Sequence, residues 1–422
     1  MSGLSTIPLR RMLPPSIFSA VNSFWACGSC ALRKMADANL GYTGAGVAPQ
    51  REMARPAVRN FQRARTTLDR GLRELRGGNA PSARHEGKDR RLGFEIIDIR
   101  RFETREFAAL LEAESRAWND TLRWDFAPSV RVINSCLRDK RLSGYALAGE
   151  EGIRGYCFFF YDGEKGIIGD LYVHPELAGQ GHERELLKHS LETLLGTPGL
   201  RRIEAQLPHY QREELEACFL NRRFQTFLRR FMSLPLRGPQ RAPHAEGGAQ
   251  TSADARWVRE GIELIPWQKR FNDDAAEMLY QSYRQHVDAL INDQYASVMG
   301  ATRLIENICH NQGCGDFLTH VSRMAVHRPT QKLAGILTLT KVQPSTAHIP
   351  QVGVGPSFQG LGIGTALMEA AFRDLAEDGF EQVTLTVTDS NAGAVRLYQR
   401  LGFDTFKTFG AFIYVSEQGT GD

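Results

Sequence analysis

Val352-Gly353-Val354-Gly355-Pro356-Ser357-Phe358-Gln359-Gly360-Leu361-Gly362-Ile363-Gly364 reads as a strand, a glycine-rich turn and the first turn of a helix. Val352 and Val354 alternate with glycines, and Pro356 ends the strand because it cannot donate to a ladder. In the helix that follows, Ile363, Leu367, Met368, Ala371, Phe372 and Leu375 share one face, while Glu369, Arg373, Asp374 and Glu377 lie opposite. Gly379 suits a left-handed helix end. Val383, Leu385 and Val387 then alternate with Thr384, Thr386 and Thr388 in a further strand. A turn of this kind is suited to an anion. Glycines let backbone N–H groups approach closely, and the helix start adds free donors and the positive end of its dipole. A dinucleotide fold also uses a glycine-rich turn, but it needs an acidic residue placed for a ribose. Asp389 reads instead as the cap of the next helix.

Gln359-x-x-Gly362-x-Gly364, following Val352 to Pro356, closely resembles the acetyl-CoA signature of the GNAT acyltransferases. A second segment, Asp389-Ser390-Asn391-Ala392-Gly393-Ala394-Val395-Arg396-Leu397-Tyr398-Gln399-Arg400-Leu401-Gly402-Phe403, is similar to the family's Asn-x-x-Ala-x-x-Leu-Tyr-x-x-x-Gly-Phe helix. The resemblance covers residues 259–415 well and 94–236 weakly. It implies that Gln359, Gly360, Leu361, Gly362, Ile363 and Gly364 hold the pyrophosphate of acetyl-CoA. It implies that Val352, Gly353 and Val354 pair with the pantetheine arm and that Asn391 hydrogen-bonds that arm. Tyr398 is then the acid that protonates the departing thiolate. Direct attack by an uncharged amine on the thioester is the implied chemistry. Tyr398 is also compatible with a core position on an apolar helix face, and Asn391 with a helix-start residue. The base stays open between water, Asp288, His286 and a backbone carbonyl; Gln351 is uncharged and His348 lies farther back.

The stretch has an echo earlier in the chain. Leu171 to Pro175, Gly181 and Leu186-Leu187 each stand 181 positions before Val352 to Pro356, Gly362 and Leu367-Met368. Phe219, Phe224 and Phe227 stand 179 positions before Tyr398, Phe403 and Phe406. A duplicated domain explains both matches. The first copy has changed its chemistry: Ala178 replaces Gln359, Glu183 replaces Gly364, Arg212 replaces Asn391 and Phe219 replaces Tyr398. Glu183 adds a bulky negative group where a pyrophosphate would lie. The expected fold is α+β: two GNAT-like domains, each a mixed, mostly antiparallel twisted sheet flanked by helices. The first packs on the second and helps wall its acceptor site.

Residues 274–315 carry two helical patterns, one with Ala275, Met278, Leu279 and Tyr283, the other with Tyr295, Met299, Leu304, Ile305 and Ile308. Between them Asp288, Asn292, Asp293 and Tyr295 are candidates to attract and orient a cationic amine, or to form a solvated turn with helix caps. The expected acceptor is a small-molecule or peptide amine. Tandem family members that acetylate a thiol-bearing pseudodisaccharide share the two-copy layout, which does not carry that acceptor over. A non-catalytic acyl-CoA sensor or scaffold is the competing reading.

The chain has 422 residues, 24% charged and 42% hydrophobic, which excludes collagen-like, coiled-coil and wholly disordered classes. Residues 1–92 hold 16 Lys and Arg against 6 Asp and Glu, leaving 36 against 42 for the rest. The basic excess therefore belongs to the leader, and the body lacks a nucleic-acid binder's charge. The leader is expected to be disordered, with one short basic helix over 56–76. Its apolar stretch 12–32 is a signal-peptide-like pattern broken by Pro14, Pro15 and Asn22, and Met35 or Met53 are alternative starts. The expected boundaries are a leader 1–92, domains 93–236 and 259–415, a Gly/Pro/Ala-rich linker 237–258 and a polar tail 416–422. Seven scattered cysteines argue against a disulfide framework and for the cytoplasm. Neither Cys27-x-x-Cys30 nor Cys309-His310 with Cys314 has zinc-site company, so no metal is expected. No run is apolar enough for a membrane span.

Overall fold

A computed structural model describes residues 93–237, 256–310 and 314–416. The leader with its Cys27–Cys30 pair and expected 56–76 helix, the linker between 238 and 255, and the tail beyond 416 lie outside the described residues. Everything described from Phe94 onward belongs to one structural unit.

The first half runs β1 (Glu95–Asp98), α1 (Ala108–Leu122), α2 (Ala127–Arg138), β2 (Ser143–Gly149), β3 (Gly152–Asp162), β4 (Lys165–Val173), α3 (His182–Leu195), β5 (Arg202–Gln206), α4 (Arg212–Leu220) and β6 (Gln225–Pro235). The second repeats the plan with β7 (Ile262–Pro266), α5 (Asn272–Tyr283), a short α6 (Val287–Ile291), α7 (Val298–His310), β8 (Asp316–Phe317), β9 (Arg323–His327), β10 (Lys332–Gln343), β11 (Thr346–Val354), α8 (Ile363–Glu377), β12 (Gln382–Thr388), α9 (Ala392–Arg400) and β13 (Asp404–Val415). Helix α5 falls where the apolar spacing over 274–315 predicts it; α7 buries Leu304, Ile305 and Ile308, but Tyr295 lies in a separate 3-10 turn before it and Met299 is exposed. Helix α8 buries Ile363, Leu367, Met368, Ala371, Phe372 and Leu375, the face read from its periodicity. It closes with Gly379 at φ +90° and a 2.9 Å bond from Phe380 N–H to the Leu375 carbonyl.

The two halves do not keep separate sheets. One sheet runs β1-β2-β3-β4-β5-β13-β6-β12-β11-β10-β9-β7, with β8 on β10. The order is palindromic about the β13–β6 pair, because each half's last strand lies in the other half. Strand β13 pairs with β5 from Ala411↔Gln206 to Val415↔Arg202, and β6 pairs with β12 from Arg229↔Thr388 to Pro235↔Gln382. The exchange covers the edges of β5 and β12, which would otherwise expose a row of unpaired backbone groups. Side chains reinforce it: Lys165 Nζ reaches Asp293 at 2.9 Å, and Arg123 donates to Gln382 Oε1 at 2.6 Å while covering the Phe406 ring.

Among the described residues only β4–β5 and β11–β12 pair in parallel, and each pairing is short. Contact between β11 and β12 ends at Ile349↔Leu385, after which the strands diverge. The cause lies on the other edge of β11. Its register against β10 slips between Thr338↔Gln351 and Thr340↔His348, leaving an extra residue at the Ile349-Pro350 step. Pro350 has no N–H to continue a ladder. The first half slips at the equivalent place, where Gly169 is the extra residue of β4. Among the described residues no helix is long and apolar enough to cross a membrane.

Candidate functional site

The divergence of β11 and β12 leaves a wedge whose edges are backbone. The N–H and carbonyl of Gln351 both engage Thr338 Oγ1 on the β10 side, at 2.9 and 3.1 Å. By strand alternation, the backbone groups of Val352 and Val354 therefore face the wedge. Two helix α5 side chains meet them there. Tyr283 Oη donates to the Val352 carbonyl at 2.8 Å, and Ser282 Oγ to the Val354 carbonyl at 3.2 Å.

At the mouth of the wedge sits the glycine bend. Gly360 and Gly362 adopt φ +76° and +85°, and a Cβ built on either would meet nothing within 4 Å. Gly364 has only a Val354 methyl at 3.7 Å. The helical ladder starts with Ala366 N–H on the Gly362 carbonyl, so the amides of Ile363, Gly364 and Thr365 have no acceptor within the helix. Bend and wedge open on a cavity of about 570 Å³, lined by Val352, Gly353, Val354, Gln359, Gly360, Gly362, Ile363, Gly364, Asn391 and Tyr398, among others. His286 and Arg400 lie on its wall.

A second, smaller cavity of about 100 Å³ lies behind the first and shares Tyr283, Val352, Asn391, Ala394 and Tyr398 with it. Tyr398 is thus a common wall. It is 8% exposed, and its hydroxyl makes no hydrogen bond among the described residues. Burial, with the Asp288 charge behind it, pushes its pKa above the ordinary phenol value, so it stays protonated at neutral pH.

Asp288, Asn292, Tyr295, Arg229 and Gln206 line the smaller cavity. Burial opposes ionisation of Asp288, but hydrogen bonds from His286 and Thr388 and the Arg229 charge outweigh it, and its pKa is held below the ordinary value. His286 Nδ1 lies 3.2 Å from the Asp288 amide and 3.1 Å from Asp288 Oδ2. A neutral ring caps α6, and a protonated ring pairs with the carboxylate. Tyr295 stacks on Tyr283 with ring centres 4.5 Å apart and donates to Gln351 Oε1 at 2.6 Å. His348 is wholly buried, and burial lowers its pKa to about 3, which makes it a very weak proton acceptor.

The first half keeps the bend but not the opening. Gly179 and Gly181 hold φ +75° and +88°, matching Gly360 and Gly362. Glu183, in the place of Gly364, is only 5% exposed. Tyr210 lies against it, and its hydroxyl is hydrogen-bonded to the Val173 backbone, the counterpart of Val354. Burial first and Glu183 second push the Tyr210 pKa well up. Phe219 is sealed under Phe412 of β13, with ring centres 3.8 Å apart.

The sequence-predicted residues converge. Leu361 is the exception, since its side chain turns into the core beside α8 and lines neither cavity. Two local readings are corrected. Asn391, not Asp389, caps α9, through a 3.2 Å bond from Ala394 N–H to Asn391 Oδ1; Asp389 instead pairs with Arg230 of β6. The Asn391 amide nitrogen therefore remains as its donor toward the cavities. In the first copy the matching cap is Gln211 rather than Arg212, because α4 and α9 differ by one residue in register at their starts. Sequence reading missed the Tyr283 hydroxyl, which it placed only on an apolar helix face. It also missed Arg229 and Gln206, which belong to the other half.

The acetyltransferase (GNAT) family profile matches residues 96–216 and again 277–403, and the chain belongs to that family, as a tandem member. Among its relatives, a mycothiol acetyltransferase of Saccharomonospora viridis is 49% identical over 78 residues, 16% of this chain and 26% of that protein. The mycothiol acetyltransferase of Nocardiopsis dassonvillei is 28% identical over 278 residues, 63% of this chain and 80% of its own. The chain thus spans about a quarter of the first relative's length and most of the second's. A GCN5-related N-acetyltransferase from Sphaerobacter thermophilus superposes with a TM-score of 0.54 at 16% identity, covering 76% of this chain and 95% of that one. A glucosamine N-acetyltransferase region of a fungal multi-domain β-N-acetylglucosaminidase gives 0.52 at 14% identity, covering 78% and 39%. At these identities the two structures speak for the fold alone.

Proposed function

We propose that the chain is an acetyl-CoA-dependent N-acetyltransferase whose working site lies in the second half. The observation that carries this reading is the junction at Tyr398 of an open, amide-lined bend and wedge with a second, polar cavity. Acetyl-CoA supplies a thioester carbonyl and a thiolate leaving group. The free amides at the start of α8 and the bend from Gln359 to Gly364 receive the diphosphate, with Arg400 adding positive charge on the wall. Val352 and Val354, whose carbonyls are engaged by side chains, offer their wedge-facing N–H groups to an extended pantetheine arm, and the Asn391 amide nitrogen is a further donor to it. Asp288, ionised in the inner cavity, draws a cationic amine, with Asn292 and Tyr295 beside it.

The ammonium first gives one proton to water and becomes the neutral nucleophile. As the nitrogen–carbon bond forms and the carbon–sulfur bond breaks, nitrogen loses a further proton to water, sulfur takes one from Tyr398, and water returns a proton to the phenolate. The raised pKa of Tyr398 does not disqualify it, because the dry environment that raises the phenol raises the thiolate's basicity too. The reading places the chain in the cytoplasm, where acetyl-CoA is at hand; the thiols of Cys157, Cys218 and Cys309 are free, as that compartment requires. The relatives named as mycothiol acetyltransferases make the amine precursor of mycothiol one acceptor to include. A sensor has no use for a second polar cavity beside Tyr398, and this favours the enzyme. The test is a panel of primary amines with acetyl-CoA, following thiol release. One acetyl-CoA per chain is expected by calorimetry. Two equivalent sites, or thiol release unchanged by any amine, contradict the reading.

A further inference from the structure

This inference rests on the acceptor cavity just proposed and concerns what the first half brings to it. Arg229 and Gln206 reach that cavity from β6 and β5, so the strand exchange makes the site composite. Arg229 stands between Thr388 of β12 and Phe409 of β13. Its neighbour Arg230 faces the other side of the sheet and is paired with Asp389. Arg229 has no such partner. Its Nε is buried without a hydrogen bond, and among the described residues no carboxylate lies at ion-pair distance from it. Asp288 lines the same cavity, but its two oxygens are engaged by Thr388 and His286. Gln206 is 8% exposed, and its Oε1 has no donor. The cavity therefore holds one cationic fork that feels the Asp288 charge without contacting it, and one acceptor without a donor.

A guanidinium whose Nε is buried without a hydrogen bond, and which has no anion in contact, carries a desolvation cost that a ligand anion would offset. The planar fork is matched by a carboxylate, which it binds through two parallel hydrogen bonds. Gln206 Oε1 calls for an N–H donor. We propose that the acceptor is an aminocarboxylate: Arg229 receives its carboxylate, while its amine lies between Gln206 Oε1 and Asp288, facing Tyr398. The products are then the N-acetyl amino acid and the free CoA thiol. The first half is on this view a specificity element as well as a structural one.

The probes are N-acetylglycine and N-acetyl-L-serine against their primary amides, titrated calorimetrically into the full chain loaded with CoA. The acids are expected to bind at least about tenfold more tightly than the amides. Arg229→Gln should bring acid and amide within about twofold of one another, and Arg229→Lys should keep part of the preference. An unchanged CoA affinity in both variants shows that they are folded. In turnover, glycine and L-serine should exceed methylamine and ethanolamine in kcat/KM, and Arg229→Gln should narrow that ratio. Equal binding of acid and amide, binding of neither, a stronger response to phosphoethanolamine, or a preference that survives Arg229→Gln overturns the proposal. Failure of CoA itself to bind overturns the acetyltransferase reading instead, and this inference falls with it.

Discussion

The Tyr283 hydroxyl, at the end of α5, holds the carbonyl of Val352, the first β11 residue whose backbone faces the open wedge, at 2.8 Å. Helix and splayed strand are thereby tied at the point where the two cavities meet. Tyr283→Phe leaves that carbonyl with only the 3.1 Å bond from Gln351 Nε2 and loosens the stack on Tyr295. Loss of one buried hydrogen bond is expected to cost about 1–2 kcal/mol in urea unfolding. It should also lower kcat/KM for the amine more than it changes acetyl-CoA affinity. Unchanged stability would mean that water replaces the hydroxyl without cost.

Gly364 separates shape from charge at the bend. Its Cβ position touches only Val354, and its φ is not in the left-handed region, so alanine fits. Gly364→Ala should bind acetyl-CoA within about threefold of the parent, whereas Gly364→Glu, which copies Glu183 of the first half, should lose at least about thirtyfold. At Gly362, φ is +85°, so Gly362→Glu adds backbone strain to the charge and should abolish binding. Equal affinity for Gly364→Ala and Gly364→Glu would remove the diphosphate from the bend.

What could be read without coordinates was what local periodicity and turn chemistry carry. The α8 face from Ile363 to Leu375, the glycine bend and the convergence of Asn391 and Tyr398 on it follow from residue spacing within a few turns of chain. The strand exchange does not. Strands β6 and β13 show the same alternation whether they pair at home or across, and pairing depends on which edges remain uncovered. Arg229 and Gln206 were invisible for that reason: nothing near them in sequence belongs to the site they line. The contact of Tyr210 with Glu183 and the Val173 backbone was hidden differently, because an aromatic beside a strand end looks the same packed on a bend or capping a core. Asp389 was misjudged as a cap because its true partner, Arg230, is 159 positions away.

Tyr398→Phe removes the proposed acid and little else, since the hydroxyl makes no bond within the described protein. We expect kcat to fall about a hundredfold with acetyl-CoA affinity spared. Burial raises the Tyr398 pKa, so the parent enzyme should show no loss of rate from phenol ionisation below the ordinary tyrosine range. A parent-like kcat in the variant would return Tyr398 to a purely structural role.

His286 and Asp288 predict a pH window for stability. The Asp288 hydrogen bond raises the His286 pKa above 6.5, with burial opposing, so the folded chain holds that proton more tightly than the unfolded chain. Its contribution is present in full below about 6.5 and is lost as pH rises through the higher folded value. Asp288 has the opposite sign: its pKa is held below 3.8, so its contribution is present above that value and is lost as pH falls through the folded one. Urea titrations at two pH values, one on each side of the raised His286 pKa, should therefore show Asp288→Asn costing more at the lower one. By proton NMR, the same variant should lower the His286 pKa. A His286 pKa unmoved by Asp288→Asn would mean that its ring nitrogen stays on the Asp288 amide instead.

The exchanged strands set how the halves can fold. Strand β12 meets β6 along seven pairs from Gln382 to Thr388, and β13 meets both β5 and β6. A fragment of residues 256–416 therefore lacks the strand that covers β12 and must leave β13 without its two neighbours. Fragment 93–237 is left with the mirror-image defect at β5. An exposed β12 edge bearing Val383, Leu385 and Val387 invites pairing with another chain. Each fragment alone is expected to aggregate, or to form a homodimer that swaps its own last strand. Co-expressed, the two should recover a one-to-one complex, because every missing neighbour of one is present in the other. Acetyl-CoA affinity should return only in that complex, since the wedge is framed by β12, whose far edge is β6. A monomeric second fragment that binds acetyl-CoA as tightly as the full chain would show that β13 can fold back onto β12 and that the exchange is dispensable.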